Sequence, residues 1–262
     1  MRILITNDDG ARAPGIKLLE EIARSLSDDV WIVAPEFDQS GVSHAISLHE
    51  PLRVHKEGEK RYFVRGTPAD CVILAAEHLM DRKPDLVLSG VNRGGNMADS
   101  IAYSGTVGAA MTALTVGVPA IALSQYFQGV EVKWECARAY AKPLIERLLA
   151  VKWPMSVVPN VNFPHRAPDD VAGITLCHPG HGFIEGVNVV ERVDVRGLSY
   201  HWLQFRRSAE DVDDPDCDIN LLREGHITIT PLRPDRLGEW DWPKMRAEFG
   251  DLLTVAPLVD LG

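Results

Sequence analysis

Cysteine is scarce in this chain: Cys71, Cys136, Cys177 and Cys217 are the only four in 262 residues, and no two form a CxxC pair. That spacing excludes a disulfide framework and a zinc ribbon. The expectation is buried free thiols in a reducing compartment. Long apolar runs are also missing, since none approaches the roughly 18 residues of a membrane span. Neither does a basic segment with an apolar stretch open the sequence, where a strand meets Asp8 directly. A cytoplasmic protein without a membrane partner is therefore expected. Positive charge is in short supply, 27 Lys and Arg against 37 Asp and Glu, for a net charge of −10. A nucleic-acid binder needs a basic face, so that class is excluded. A small anionic substrate is not, provided a metal ion or helix N-termini supply local positive charge. GxxxxGK[ST], GxGxxG with a ribose-binding acid, and GxSxG are all absent, which removes three familiar nucleotide and hydrolase signatures.

What is present is an alternation of strands and helices. Strands are expected over 2–6, 29–34, 85–89, 120–124 and 156–160, with helices over 15–26, 69–80, 106–116 and 131–150. Continuous apolar strands separated by amphipathic helices indicate a parallel sheet covered on both faces. Between 47 and 64 the pattern shortens to SLHEPLRVH and KRYFVR around a charged turn, which reads as a β-hairpin inserted into the core. Beyond about 165 come short strands (GITLC, SYHWLQF, HITITPL) separated by Pro, Gly and Asp. They read as a β-rich extension that wraps the core or a second subunit.

In doubly wound sheets, ligands bind outside the carboxyl ends of the strands. The candidates are therefore the polar residues that follow each strand. Asn7, Asp8, Asp9 and Gly10 follow the first; Glu36 to Gly41, with Ser40, the second; Ser89-Gly90-Val91-Asn92-Arg93-Gly94-Gly95-Asn96 the third. Adjacent carboxylates repel each other, and both stay ionised only with positive charge against them. Two carboxylates, a serine hydroxyl and an asparagine carbonyl are hard oxygen donors that suit Mg²⁺, Mn²⁺ or Ca²⁺. Asp-Asp-Gly alone is an ordinary turn; three polar turns at neighbouring strand ends make it a candidate site. Tyr103-Ser104-Gly105-Thr106-Val107-Gly108 opens the next helix. Ser104 or Thr106 serves as its cap, and the small residues let a phosphate reach free N–H groups. Asn92 and Asn96 offer an amide to phosphate or a carbonyl to a metal. Thr67 followed by Pro68 reads as a helix start. His44 lies near the second loop and is read first as a packing or surface residue.

In order along the chain, NDDGxxAPGI, VAPxxxxSG, GTPADCV, SGVNxGxN and YSGTVGAA resemble the SurE family (survival protein E), metal-dependent phosphatases of nucleoside 5′-monophosphates. The likeness runs from Met1 to Ser124 and continues more weakly through 160–164 and 223–232. It implies a Rossmann-like α/β fold, a doubly wound, mostly parallel sheet with an inserted hairpin and a β-rich extension. The implied organisation is one domain, with its core over 1–165 and the extension over 166–262 joining subunits. A homodimer or homotetramer with exchanged C-terminal elements is implied. The resemblance further implies one divalent ion per subunit (Mg²⁺ or Mn²⁺), held by Asp8, Asp9, Ser40 and Asn92. It sets Asn96, Ser104, Gly105 and Thr106 around the phosphate. Asp8 and Asp9 are then catalytic as well, as base or nucleophile. The implied substrate is a nucleoside 5′-monophosphate, with 3′-monophosphates and short polyphosphate beside it. Two other classes suit the same residues: a regulatory module that binds nucleotide without turnover, and a metal-dependent transferase using a diphosphate donor. The chain departs from the family pattern at Ala98, where glycine is usual before Asp99. Gly41-Val42-Ser43-His44 lacks a second glycine, His226 replaces a common aromatic, and Arg233 replaces a histidine of some members. None of these touches the four metal positions.

Overall fold

Strand β1 (Arg2–Thr6) is buried along its whole length because both faces meet helices. Ile3 and Ile5 join one apolar cluster with α1 (Pro14–Leu26) and α4 (Glu135–Val151). Leu4 joins the opposite cluster with α2 (Pro68–Leu74) and α3 (Gly105–Thr115). This computed structural model describes residues 1–151, 153–208 and 213–234; the part of the expected extension at 235–262 lies outside the described residues.

The remaining strands are β2 (Asp29–Pro35), β3 (Arg53–Gly58), β4 (Arg61–Arg65), β5 (Leu86–Arg93), β6 (Ala120–Gln125), β7 (Val158–Phe163), β8 (Gly173–Leu176), β9 (Ile184–Val193), β10 (Ser199–Arg207) and β11 (His226–Leu232). Nine of them form one sheet in the order β3-β4-β2-β1-β5-β6-β7-β11-β8. From β4 to β7 every pairing is parallel, and β3 and β11 pair antiparallel with their neighbours β4 and β7. The chain leaves β1 toward β2 on one side and returns at β5 on the other. That makes the β1/β5 crevice the topological switch point, where open α/β sheets bind ligands. Among the described residues, no helix is long and apolar enough to cross a membrane.

Three details revise the expected elements. The hairpin is not set apart from the core: β4 pairs with β2 in parallel and lengthens the sheet. The helix expected over 69–80 ends as α2 at Leu74 and continues as a wider π-type turn over Ala75–Leu79. The extension is split, with β11 and β8 completing the sheet edge while β9 and β10 pair only with each other. All four cysteines are free thiols; Cys71, Cys136 and Cys217 are buried. Thr67 caps α2 as its sequence suggests, in a reciprocal capping box with Asp70.

Candidate active site

Asn7 fixes the turn after β1 by donating from its side chain to the Gly10 carbonyl at 2.9 Å, and Gly10 supplies the positive φ of 97° that the turn needs. Asp8 is 4% exposed. Its Oδ1 accepts the Thr106 hydroxyl at 2.5 Å, and the Thr106 backbone N–H adds a second hydrogen bond. The α3 N-terminus is seated so closely that a Cβ on Gly105 would lie 2.8 Å from Asp8 Cβ and 2.9 Å from Asp8 Oδ2. Burial is the main reason the Asp8 carboxyl is pushed up to about 6; the charge of Asp9 adds to it, and the Thr106 bonds oppose it. Asp9 is less buried and is also raised, chiefly by desolvation, with Asp38 repelling it. Its Oδ2 accepts the Arg93 backbone N–H at 2.8 Å.

Hydrogen bonds join the other loops to this pair. Gln39 N–H donates to the Asp8 carbonyl at 2.7 Å, which brings the loop of Ser40 beside β1. Ser40 itself is exposed, and its N–H donates to Asp38 Oδ1 at 2.7 Å. Asn92 is half-buried at the end of β5; its Nδ2 donates to the Gly94 carbonyl at 2.9 Å, which leaves the side-chain oxygen as its remaining donor atom for a cation. Asp8, Asp9, Asn92 and the Ser40 loop therefore meet at the switch point.

Of the phosphate candidates, Ser104 is the cap of α3, its hydroxyl accepting Val107 N–H at 3.0 Å. With Thr106 N–H engaged by Asp8, the first-turn donor that finds no acceptor among the described residues is the Gly105 N–H. Asn96 is buried, and its Nδ2 donates to Ser124 Oγ at 2.9 Å, so one of its two amide hydrogens is used inside the protein. Asn160 and Asn162 donate to the Asn96 carbonyl at 2.8 and 3.0 Å, and Asn162 Oδ1 accepts Asn96 N–H at 2.8 Å. The sequence reading did not assign this buried asparagine framework to the site. Its signal was visible as two asparagines two apart in the apolar strand VPNVNF, hence on one face.

The residues present fit a hard divalent cation. Two raised, buried-side carboxylates lie together, and among the described residues neither has an ion-pair partner. Among the described residues no group of three or more His, Cys, Asp or Glu gathers anywhere, which matches a site completed by neutral oxygen donors rather than a zinc-type centre. Beside Ser104 a cavity of about 360 Å³ opens, with Ile101, Val107 and Met111 on its apolar wall and His44 and His181 at its polar edge.

Fold and site together define a class: a doubly wound α/β protein with a hard-oxygen donor site at its switch point and a helix N-terminus beside it. The whole chain gives the family. The family model described as survival protein SurE matches residues 3–185, and the chain belongs to that family. It is 50% identical over 251 residues to "5′-nucleotidase SurE 1" of Burkholderia lata, covering 95% of this chain and 96% of the relative. It is 48% identical to "5′-nucleotidase SurE" of Bradyrhizobium diazoefficiens, covering 91% and 96%. The crystal structure of the SurE protein from Aquifex aeolicus is similar with a TM-score of 0.80 at 31% identity, over 96% of this chain and all of that one.

Proposed function

We propose that this chain is a metal-dependent 5′-nucleotidase that hydrolyses nucleoside 5′-monophosphates to nucleoside and phosphate. The observation that carries the reading is the seating of the α3 N-terminus on Asp8 at the strand switch point, with Asp9 and Asn92 beside it. The names of the relatives support the choice of reaction. Asp8, Asp9, Ser40 and Asn92 would hold one Mg²⁺ or Mn²⁺. When bound, that ion neutralises phosphate charge and lowers the barrier to attack at phosphorus.

The chain's own residues do the rest. Gly105 N–H, the Ser104 hydroxyl and the second amide hydrogen of Asn96 orient the phosphate and meet the charge that develops on its oxygens. Asp8 is locked by Thr106 and serves as an anchor. Asp9, less buried and bonded through one oxygen only, is the better proton acceptor for the attacking nucleophile. The cavity beside Ser104 has the size and apolar wall to take a nucleoside. Four free thiols support a reducing, cytoplasmic setting. The β9–β10 hairpin supports the expectation that the extension joins subunits, since it exposes Val189, Trp202 and Leu203.

The test is phosphate release from 5′-AMP and 3′-AMP with Mn²⁺ or Mg²⁺ against EDTA. Metal-dependent release from 5′-AMP is expected. Asp9→Asn is expected to lose at least about 100-fold of it, with an unchanged circular dichroism spectrum. Tight nucleotide binding without release would replace the reading by a regulatory module. Turnover only with a diphosphate donor and an acceptor would replace it by a transferase.

A further inference from the structure

The Arg93–Gly95 stretch borders a second cavity, of about 480 Å³, which none of Asp8, Asp9, Ser40 and Asn92 lines. Arg93, Arg207 and Arg223 line it together with Tyr126, Phe127 and Phe183, and its described lining includes no carboxylate. In a chain of net charge −10 this is a local reversal of sign. Rings and carbonyls hold the cations. The Arg93 guanidinium lies 5.0 Å from the centre of the Phe127 ring and donates to the Val130 carbonyl at 3.3 Å. Arg207 lies 5.9 Å from the Phe183 ring centre and 5.8 Å from that of Phe205. Arg223 donates to the Ser208 carbonyl at 3.1 Å.

We propose that this cavity binds a nucleoside polyphosphate as an effector, separate from the nucleotide that is hydrolysed. Guanidinium forks match phosphate oxygens and are preorganised here by stacking. The rings offer a flat apolar surface for a base, and the volume is that of a small-molecule site. The wall it shares with the metal site supplies the coupling. Arg93 N–H is the hydrogen bond to Asp9, and the Gly94 carbonyl is the acceptor that orients Asn92. A ligand that shifts Arg93 therefore acts on two residues of the proposed centre. This coupling rests on the reading of Asp9 and Asn92 given above; the binding itself does not.

The experiment is calorimetric titration of ATP, inorganic tripolyphosphate and adenosine into the full-length protein in EDTA. ATP is expected to bind most tightly, tripolyphosphate more weakly and adenosine weakest. Arg207→Glu and Arg207→Ala are each expected to weaken ATP by about 10- to 100-fold, the loss of a charge-assisted contact, with circular dichroism reporting the fold. No ATP binding, or equal affinity in folded Arg207 variants, overturns the inference. Tripolyphosphate binding as tightly as ATP overturns the base-recognising part. Phosphate release from 5′-AMP with Mn²⁺ is measured in parallel. Lost ATP binding with intact release then overturns this inference alone, and intact binding without release overturns the nucleotidase reading alone.

Discussion

Gly105 is the residue at which a single methyl group separates two states of the site. A Cβ there would fall 2.8 Å from Asp8 Cβ, so either the carboxylate or the start of α3 must move. Overpacking of this kind costs about 1–3 kcal/mol, but the larger effect belongs to catalysis, where displacing a positioned group by about 1 Å costs about 100-fold. Gly105→Ala is therefore expected to stay folded, lower its urea midpoint modestly and release phosphate about 100-fold more slowly. Wild-type turnover in that variant would mean that α3 is not seated on Asp8 in the working enzyme. Ala98 makes the opposite point about reading residues from a pattern. It stands where the family pattern has glycine, and its φ of 48° lies in the left-handed region that glycine adopts without strain. What holds it there is distant in sequence, a hydrogen bond from its N–H to Asp218 Oδ2 at 3.0 Å.

At the scale of elements, Asp218 ties three segments together. From the first turn of α5 (Asp218–Glu224) it accepts Ala98 N–H and, at 2.9 Å, Gly180 N–H, although burial pushes its own carboxyl up. Removing it leaves two buried donors without an acceptor, at about 1–3 kcal/mol each. Asp218→Ala is expected to lose several kcal/mol in urea unfolding, and a loss below about 0.5 kcal/mol, the scale of an ordinary surface substitution, would show that water replaces the carboxylate. The other end of the sheet is pinned by Asp29 on β2, which accepts from Arg2 of β1 at 2.8 Å and from Lys60 of the β3–β4 turn at 2.9 Å. Arg2 first and Lys60 second hold its carboxyl well below the usual range. A depressed folded pKa means that this stabilisation is fully present above the unfolded value of about 4 and is lost as pH falls through the folded value. The stability gap between wild type and Asp29→Asn is thus expected to be constant from neutral pH down to about 5 and to close toward pH 3; a constant gap throughout would refute the assignment. Elements that bury a face were legible in the sequence: β1, α1 and β2 follow from apolar spacing, and α2 from its cap. β9 and α5 were not. β9 is polar at half its positions and exposed on both faces, so no alternation marks it, and α5 has seven residues, too few for helical periodicity. The metal positions were legible because each follows a strand. The buried role of Asn96 was not, since its partners Ser124, Asn160 and Asn162 come from two other strands.

For the whole molecule, the decisive feature is the β9–β10 arm. It pairs with no other strand, and an isolated two-stranded hairpin is at best marginally stable in water. Its register sets Leu203 opposite Val189 and Phe205 opposite Val187, so these four share one face; Val189 is 63% and Leu203 73% exposed. Trp202 opposite Val190 adds an apolar pair on the other face. Exposed apolar surface on both sides of a long ribbon calls for a cover, and a second copy of the chain satisfies it by symmetry. The base of the arm also reaches the site, because Phe205 packs on Tyr103 with ring centres 4.9 Å apart, one residue before the Ser104 cap. Assembly and activity are therefore expected to be linked. Light scattering is expected to give a dimer or tetramer for the wild-type chain and a monomer for Val189→Asp/Leu203→Asp, with lowered phosphate release in the monomer. A monomeric wild type would remove the arm's role in assembly. A monomeric variant with full activity would keep that role but cut the link through Phe205 and Tyr103, leaving the site to stand on its own strand ends.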